Sequence, residues 1–278
     1  MIKRIVYLYL LINFIYSQGA WMMSNRTHPE LTWKTIKTEN FNIHFHEGLY
    51  DISLKGANMA EKIRPTLMKQ VGLDLLQRID IVFTSEDEIA NGFATPANYT
   101  VIWVDQNDMA IWAEDEKWLR TVLAHELQHI VYFNVTKSWL PFPMNKLYDR
   151  TPGWVVEGLA EYFTEKWRPE RFDISHKYHV LKNSVHKIKD PHNDGFSKLL
   201  YFGDRFGDEK LVEILNHRDT LKLFNFSQAF KRHTGISIKQ FEEDWRRQIS
   251  CGPRQKLIYG PVLSTVLAVK PIRRWQKY

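Results

Sequence analysis

The chain has 278 residues, of which 44% are hydrophobic and 25% charged, so its composition is that of a folded protein with a sizeable core. The formal net charge of +6 comes from the two ends. Residues 1–19 and 251–278 carry two and six basic residues and no acidic ones, which leaves 30 basic against 32 acidic residues in 20–250. A near-neutral body excludes an extended nucleic-acid footprint, and the single cysteine, Cys251, excludes an intramolecular disulfide.

The amino terminus has the pattern of a secretory signal. Lys3 and Arg4 precede the apolar run IVYLYLLINFIY, and the small or polar residues SQGA follow it. An apolar run of about a dozen residues is shorter than the roughly 20 that a membrane span needs, so we predict that 1–19 is a cleaved signal peptide. An uncleaved amino-terminal anchor is the alternative. In either case we expect an exported chain, in the periplasm or outside the cell.

Strand-like segments dominate the first part of the chain. Strands are predicted at FNIHFHEG (41–48), RIDIVFTSEDE (78–88) and YTVIWVD (99–105). NGFATPANYT (91–100) is predicted as a loop from its Asn, Gly and Pro content. His44 and His46 share one face of the first strand, and we interpret them as ordinary strand residues, with a second metal site as the alternative.

Helical spacing becomes the main pattern from residue 117 onwards. Asp51 is predicted as the N-cap of a helix over 51–72. Thr151 is predicted as the N-cap of a later helix, with Pro152 at its first position. The segment 134–150 is predicted as a loop. Predicted helices cover 51–72, a segment from 117, a segment from 151, 194–206, 208–217, 226–233 and 237–249. The order predicts an α+β fold: a small mixed sheet with a helix, then a mainly helical half, with the functional site between them.

The stretch TVLAHELQHIVYF (121–133) carries two histidines at i, i+4 spacing. His125 and His129 therefore project from one helix face about a turn apart, so both imidazoles can bind one zinc ion. Glu126 lies one position round the helix, where it can take the proton from a zinc-bound water. A surface pair without metal is the alternative, but the apolar helix argues against it because buried imidazoles need partners.

A catalytic zinc needs three protein ligands and one open position, so the third ligand must come from another element. The next helix supplies WVVEGLAEYF, in which Glu157 stands in an apolar context where an unpaired carboxylate would be costly. HELQH followed by VEGLAEY resembles the gluzincin metallopeptidases, and in particular the aminopeptidases of that group. The resemblance implies Zn2+ as the cofactor, with His125, His129 and Glu157 as its ligands.

The resemblance also implies residues around the metal. Glu161 follows Glu157 by four residues, and an acid at this offset resembles the thermolysin arrangement, where it accepts the N–H of a ligand histidine. A surface carboxylate is the alternative.

An oxyanion donor is implied by a further motif. The gluzincin aminopeptidases use the Tyr of a Y-x-x-G segment, with a second Gly after eleven intervening residues. HNDG (192–195) and Gly207 reproduce that eleven-residue interval, with a histidine at the Tyr position. The resemblance therefore implies His192 as the donor to the developing charge, and Tyr201 is the substitute candidate. A loop histidine without such a role is the alternative.

The segment NGFATPANYTVIWV stands where such enzymes place the edge strand that pairs with an extended peptide. This likeness implies substrate binding by Gly92, Phe93, Ala94 and Thr95. The G-x-M-E-N signature of the aminopeptidases is absent, so we expect an endopeptidase and not an exopeptidase.

Residues 33–250 as a whole resemble the MA-clan peptidase-like domain of exported bacterial proteins, which often precedes a TolB-like β-propeller. WKTIKTENFNIHF, FGDEKLVEIL and SIKQFEEDWR extend the likeness beyond the zinc motifs. We therefore divide the chain into a signal peptide or anchor (1–19), a zinc metallopeptidase-like domain (20–250) and a basic tail (251–278).

The expected function is that of an exported zinc-dependent endopeptidase acting on peptide or protein substrates. One alternative is a zinc-stabilised binding or assembly module of the cell envelope with little turnover, whose partner would be an envelope protein. Another is hydrolysis of a different amide, such as a cell-wall linkage, by the same metal chemistry. Nucleic acid is not expected as a partner, and membrane contact is expected only through the amino terminus or the basic tail.

Overall fold

The computed structural model describes residues 28–73, 77–86, 91–104, 115–141, 144–166 and 173–251. The signal peptide or anchor predicted at 1–19 lies outside these residues, and so does the tail 251–278 except for its first residue. Within the described part of the chain, no helix is long and apolar enough to cross a membrane.

Five strands of the described chain form one mixed sheet in the order β1-β2-β3-β5-β4. They are β1 (Trp33–Lys37), β2 (Phe41–His46), β3 (Ile79–Thr84), β4 (Gly92–Thr95) and β5 (Tyr99–Trp103). β2, β3 and β5 run parallel, whereas β1 and β4 pair antiparallel at the two edges. The three predicted strands are confirmed. β1 escaped prediction because most of its side chains are exposed, which leaves it no apolar alternation.

The loop predicted at 91–100 is wrong in its first half, where Gly92–Thr95 forms β4. Gly has low strand propensity, so the local sequence favours a loop. Tertiary pairing overrides this preference, because β4 lies antiparallel to β5 with Phe93 opposite Val101. Asn98 adopts a φ of 61° in the turn that joins the two strands. β4 is the last strand in the sheet order given above, so it is an edge strand among the described residues.

The helices among the described residues are α1 (Tyr50–Val71), α2 (Asp115–Val135), α3 (Met144–Asp149), α4 (Gly153–Glu165), α5 (Asp173–Leu181), α6 (Pro191–Phe206), α7 (Asp208–Asn216), α8 (Phe226–Thr234) and α9 (Ile238–Cys251), with a 3-10 turn at Val185–Lys187. The predicted α+β class is confirmed, because a sheet with one helix precedes a mainly helical half.

Two helix starts differ from prediction by one residue. α4 begins at Gly153 with Pro152 as its N-cap, so Thr151 lies just outside the helix, where its hydroxyl donates a hydrogen bond to Asp149. α1 begins at Tyr50, which places Asp51 in its first turn instead of at the N-cap. There its negative charge still favours the positive end of the helix dipole.

Two helices lie where none was predicted, and a third begins early. α3 occupies part of the predicted loop 134–150, and it has no buried residue that would produce an apolar period. α5 was likewise missed. α6 begins at Pro191, three residues before the predicted start, with the side chain of Asp190 accepting a hydrogen bond from the His192 backbone N–H. Asp–Pro is an N-cap and first-position pair, so the signal for this start was present in the sequence.

α2 lies at the junction of the two halves. It packs against α1, β4 and β5 on the sheet side and against α4 on the helical side, while α4 packs in turn against α6. Its apolar residues are almost fully buried: Leu119, Leu123, Leu127, Ile130 and Val131. The helix that carries both motif histidines is therefore held by the core on several sides.

Candidate metal centre

The two motif histidines meet on α2 as their spacing predicts. His125 Nε2 and His129 Nε2 lie 3.1 Å apart, and the ring centroids are 4.8 Å apart at 84°. Both side chains are largely buried, with 14% and 9% of their surface exposed. Two imidazoles that point their nitrogens at one another are arranged to share a proton or to bind one ion.

A side-chain oxygen of Glu157, on α4, lies beside the two facing histidine nitrogens. This oxygen, Oε2, lies 3.5 Å from His125 Nε2 and 3.2 Å from His129 Nε2. Ligand atoms at 2.0–2.1 Å from one tetrahedral zinc ion would be about 3.3 Å apart, so the three donors have the spacing of such a set. Two imidazole nitrogens and one carboxylate oxygen are also the donor chemistry of a catalytic zinc site with one open position. The residues therefore fit zinc.

His192 is the fourth group at this point. Its Nδ1 lies 3.6 Å from Glu157 Oε2, and its ring stacks on that of His125 with centroids 5.6 Å apart. Donor atoms of His125, Glu157 and His192 all lie within 4.8 Å of one another, so His192 could replace His129 in a ligand set. We favour His129, because its Nε2 is closer to the other two donors and because His192 Nδ1 has a different partner.

That partner is Glu161, which is only 2% exposed. Its Oε1 lies 3.0 Å from His192 Nδ1 and 3.8 Å from His125 Nδ1. The hydrogen bond to Glu161 raises the pKa of His192, so the imidazole tends to carry a proton. Glu161 thus orients His192 through Nδ1 at the edge of the site, and its side chain also lies near a motif histidine.

Glu126 lies against the edge strand of the sheet. The side chain is largely buried, and burial raises its pKa, which makes the carboxylate a stronger base. A Cβ added to Gly92 would lie 2.7 Å from Glu126 Cγ and 2.7 Å from its Oε1. Only a glycine permits this approach, so the backbone of β4 runs directly beside the carboxylate.

The charges of the site compensate one another. Burial by itself would raise the pKa of Glu157, but hydrogen bonds from His125 and His129 outweigh it and hold the pKa well below its usual range. Burial would likewise lower the pKa of His125, but the Glu157 hydrogen bond and the charges of Glu126 and Glu161 raise it. The carboxylates therefore favour positive charge at this point, which is the electrostatic requirement of a cation site.

Two glycines bring α6 close to α4. A Cβ added to Gly158 would lie 2.6 Å from the carbonyl carbon of Gly195, and one added to Gly195 would lie 2.1 Å from the carbonyl oxygen of Trp154. The two helix backbones are therefore in direct contact, one residue from Glu157 and three from His192. This crossing places His192 beside the motif histidines.

A buried ion pair lies beside this crossing, and our sequence interpretation missed it. Lys198 Nζ lies 2.9 Å from Asp194 Oδ2 and 3.1 Å from Glu242 Oε1 of α9, and it stands 4.6 Å from the ring centroid of Trp154. The i, i+4 spacing of Asp194 and Lys198 was the available signal, but that spacing is equally common on exposed helix faces.

The predicted substrate residues form β4. Gly92 and Phe93 are partly exposed, whereas Ala94 and Thr95 are buried. The Thr95 hydroxyl donates to the Tyr99 carbonyl at 3.2 Å, so it serves the turn to β5. What β4 offers to a peptide is therefore its backbone edge, and the side chain of Thr95 is engaged within the protein.

Other candidates lie outside this group. The Tyr201 ring stacks on Phe241 at 5.3 Å, and its hydroxyl accepts a hydrogen bond from Arg205 at 2.8 Å. Neither of these contacts joins Tyr201 to the motif histidines.

On the first strand, His44 Nε2 lies 3.0 Å from Asp80 Oδ1, while His46 Nε2 accepts from the Ser85 backbone N–H at 3.3 Å. Because the two rings have separate partners, they behave as ordinary strand residues, as we predicted.

Comparisons with known proteins give a distant likeness to solved structures. No protein-family model and no curated protein sequence matches the chain. Two solved structures of leukotriene A4 hydrolase are similar: the yeast enzyme in complex with bestatin (TM-score 0.47, 16% identity) and the native enzyme from Saccharomyces cerevisiae (TM-score 0.46, 15% identity). Each alignment covers 82% of this chain and 39% of the hydrolase, so this chain spans well under half of that protein. The roles of the site residues rest on their own geometry and chemistry.

Proposed function

We propose that this protein is a zinc-dependent hydrolase of the metallopeptidase type, with His125, His129 and Glu157 as the zinc ligands. The observation that carries the proposal is the convergence of two Nε2 atoms and one Oε2 atom at mutual distances of 3.1, 3.2 and 3.5 Å, next to the buried carboxylate of Glu126. A zinc ion that served only to hold the fold would have no use for a neighbouring base.

Bound zinc would polarise the scissile carbonyl and acidify a water molecule. Glu126 accepts the proton of that water on its carboxylate and later passes it to the leaving amine. Its burial suits the first step, because a raised pKa makes the carboxylate a stronger base towards that proton. The backbone of β4 at Gly92 confines the carboxylate to this position.

His192 stabilises the negative charge that develops on the carbonyl oxygen. The Glu161 hydrogen bond, at 3.0 Å, raises the pKa of the ring and orients it through Nδ1, so Nε2–H is the donor for the oxyanion. With 44% of its side chain exposed, His192 is accessible to a substrate, whereas the zinc ligand His129 is 9% exposed.

The substrate is a peptide bound in extended form along β4, as an added strand beside the last strand of the sheet in the described part of the chain. This placement brings the substrate backbone beside Gly92 and hence beside Glu126. Pairing through the backbone tolerates many sequences. β4 has the sequence GFAT, with no acidic side chain to hold a free amino terminus, and this supports endopeptidase over exopeptidase action.

We extend the proposal to an exported enzyme that acts on peptides or proteins in or beyond the cell envelope. Its support is the sequence of residues 1–19, with Lys3 and Arg4 ahead of a short apolar run. An envelope protein is the partner expected if the site binds its target without turning it over.

The test uses the full chain and three proteins: wild type, Glu126→Gln and the control Glu209→Gln, which removes an exposed carboxylate of α7. Zinc content is measured by mass spectrometry, and proteolysis is measured with casein. We expect bound zinc in all three and a rate lower by about 10²–10⁴-fold for Glu126→Gln alone. Full activity of Glu126→Gln would refute the mechanism. Zinc in every protein with no turnover in wild type would favour the binding module.

A further inference from the structure

A second pair of facing histidines lies outside the candidate metal centre, where the end of α7 meets the end of α8. His217 directly follows α7, and His233 lies in the last turn of α8. His217 Nδ1 and His233 Nε2 are 3.3 Å apart, and the ring centroids are 5.1 Å apart at 78°. This is nearly the arrangement of His125 and His129, whose facing nitrogens are 3.1 Å apart.

A carboxylate orients one of the two rings from behind. Glu213 Oε2 lies 3.0 Å from His233 Nδ1, the nitrogen that does not face His217. Carboxylates bind the distal nitrogen of metal-ligating histidines in this way, which fixes the tautomer and directs the lone pair of the other nitrogen to the metal. Glu213 is itself held by Lys210, whose Nζ lies 2.6 Å from Oε2.

We propose that His217 and His233 form a second metal site, for Zn2+ or another divalent ion that prefers imidazole ligands, with Glu213 orienting His233. The 3.3 Å between the two nitrogens matches the roughly 3.3 Å expected for ligands of one tetrahedral zinc ion. Both rings are partly exposed, so water can complete the coordination. Nothing in the function proposed above uses these residues.

The surrounding charges make this site weaker than the inner one. Lys210, Arg218 and Arg232 lie nearby, and their positive charges oppose a divalent cation. Lys210 pairs with the orienting carboxylate of Glu213, and Arg218 donates to two backbone carbonyls at 3.1 and 2.8 Å. With two protein ligands against three, the outer site binds zinc less tightly than the inner site.

A metal ion here would join the end of α7 to the end of α8. The His217 backbone N–H bonds to the Ile214 carbonyl at 3.2 Å and closes α7, so the ring is carried by a fixed part of the chain. A ligand that binds the folded state alone raises its stability by mass action. Zinc should therefore raise the melting temperature through this site as well as through the inner one.

The experiment measures zinc bound per chain by equilibrium dialysis of metal-stripped full-length protein against graded zinc chloride, with melting temperatures on the same samples. The proteins are wild type, His217→Asn, His233→Asn, Glu157→Ala and the control His186→Asn, which removes an exposed histidine. We expect a tight and a weaker class in wild type and in the control. His217→Asn and His233→Asn should keep the tight class and lose the weaker one, together with its increase in melting temperature.

Two results overturn the proposal. If His217→Asn and His233→Asn bind as much zinc as wild type, the two rings form only an N–H···N hydrogen bond. The same conclusion follows if wild type has no weaker class. Glu157→Ala separates this proposal from the proposed function, because it should lose the tight class and keep the weaker one. Loss of the weaker class in His217→Asn with no effect of Glu157→Ala would support the outer site and refute the inner one.

Discussion

Two pairs of facing histidines have nearly the same geometry but arise differently in the chain: the inner pair, His125 and His129, and the outer pair, His217 and His233. Their facing nitrogens are 3.1 and 3.3 Å apart. The inner pair comes from one helix at i, i+4 spacing and is buried in the core. The outer pair comes from residues sixteen positions apart and is partly exposed. A carboxylate accompanies each pair, but Glu157 points between the inner rings whereas Glu213 lies behind an outer ring.

The difference shows which metal sites a sequence reveals. Helix geometry makes any i, i+4 pair of histidines face the same way, so the inner pair is visible as a local motif. No local rule relates positions 217 and 233, which meet only because α7 packs against α8. The burial of the inner pair also lowers the local dielectric constant, which strengthens electrostatic effects there and makes that site suitable for chemistry.

The largest effect should come from removing the carboxylate of each site in turn. Glu157→Ala removes a proposed ligand, so we expect loss of the tight zinc and of all measurable proteolysis. Glu213→Ala removes a group that only orients His233, so we expect the weaker zinc to bind about 10–100-fold less tightly while the tight zinc stays. Zinc dialysis on both variants measures this contrast. Equal effects of the two variants on one class of zinc would show that the two sites are not separate.

The helix crossing beside the inner site should give the next largest effect. Gly195→Ala puts a Cβ into the Trp154 carbonyl of α4, so we expect a free energy of unfolding lower by about 3 kcal/mol. Gly153→Ala is the control, because a Cβ there meets nothing within 4 Å. Urea denaturation of both variants and wild type measures the difference. Unchanged stability of Gly195→Ala would mean that the two helices can separate without cost.

Glu161→Gln should change turnover and leave zinc in place. The neutral amide no longer raises the pKa of His192 or accepts as strong a hydrogen bond from its ring, so we expect kcat to fall about 10–100-fold, while KM and zinc content stay near wild type. Steady-state kinetics on a defined peptide, with Glu209→Gln as the control, measure this split. A loss of zinc instead would indicate that Glu161 acts mainly through His125, whose Nδ1 lies 3.8 Å away.

His176 offers a contrast with both pairs, because it is a buried histidine whose ring centroid lies 5.8 Å from that of Trp245. Burial lowers its pKa from 6.5 to about 4, so the folded protein binds this proton less readily than the unfolded chain. The stability that depends on the neutral ring is present above pH 6.5 and is lost as the pH falls towards 4. We expect this group to account for about 3 kcal/mol of the decline in the free energy of unfolding between pH 7 and pH 4.

The measurement compares how the free energy of unfolding changes from pH 7 to pH 4 in wild type and in His176→Gln. The variant should show the shallower decline, because it cannot take up this proton. Parallel curves for the two proteins would mean that His176 is protonated in the folded state as readily as in the unfolded chain.

Sequence patterns predicted elements well where packing repeats the local period. The three inner strands and α2 follow their apolar periodicity, and the HELQH spacing correctly placed His125 next to His129 in space. Predictions failed where local preference and tertiary contact disagree. The sequence of β4 contains a glycine and predicts a loop, but pairing with β5 makes this segment a strand. α3 has no buried residue and so has no apolar period to detect.

The sequence by itself determined the α+β order, the helix with its two inner histidines, and Glu157 as a carboxylate that needs a partner. These features follow from short-range periodicity, which can be recognised directly in the amino-acid sequence. Only the tertiary structure decided that Gly158 and Gly195 let two helices touch, that Glu161 holds His192, and that Gly92 lies against Glu126. It alone brought His217 to His233. Such contacts join distant positions, and their geometry depends on packing that no short stretch of sequence contains.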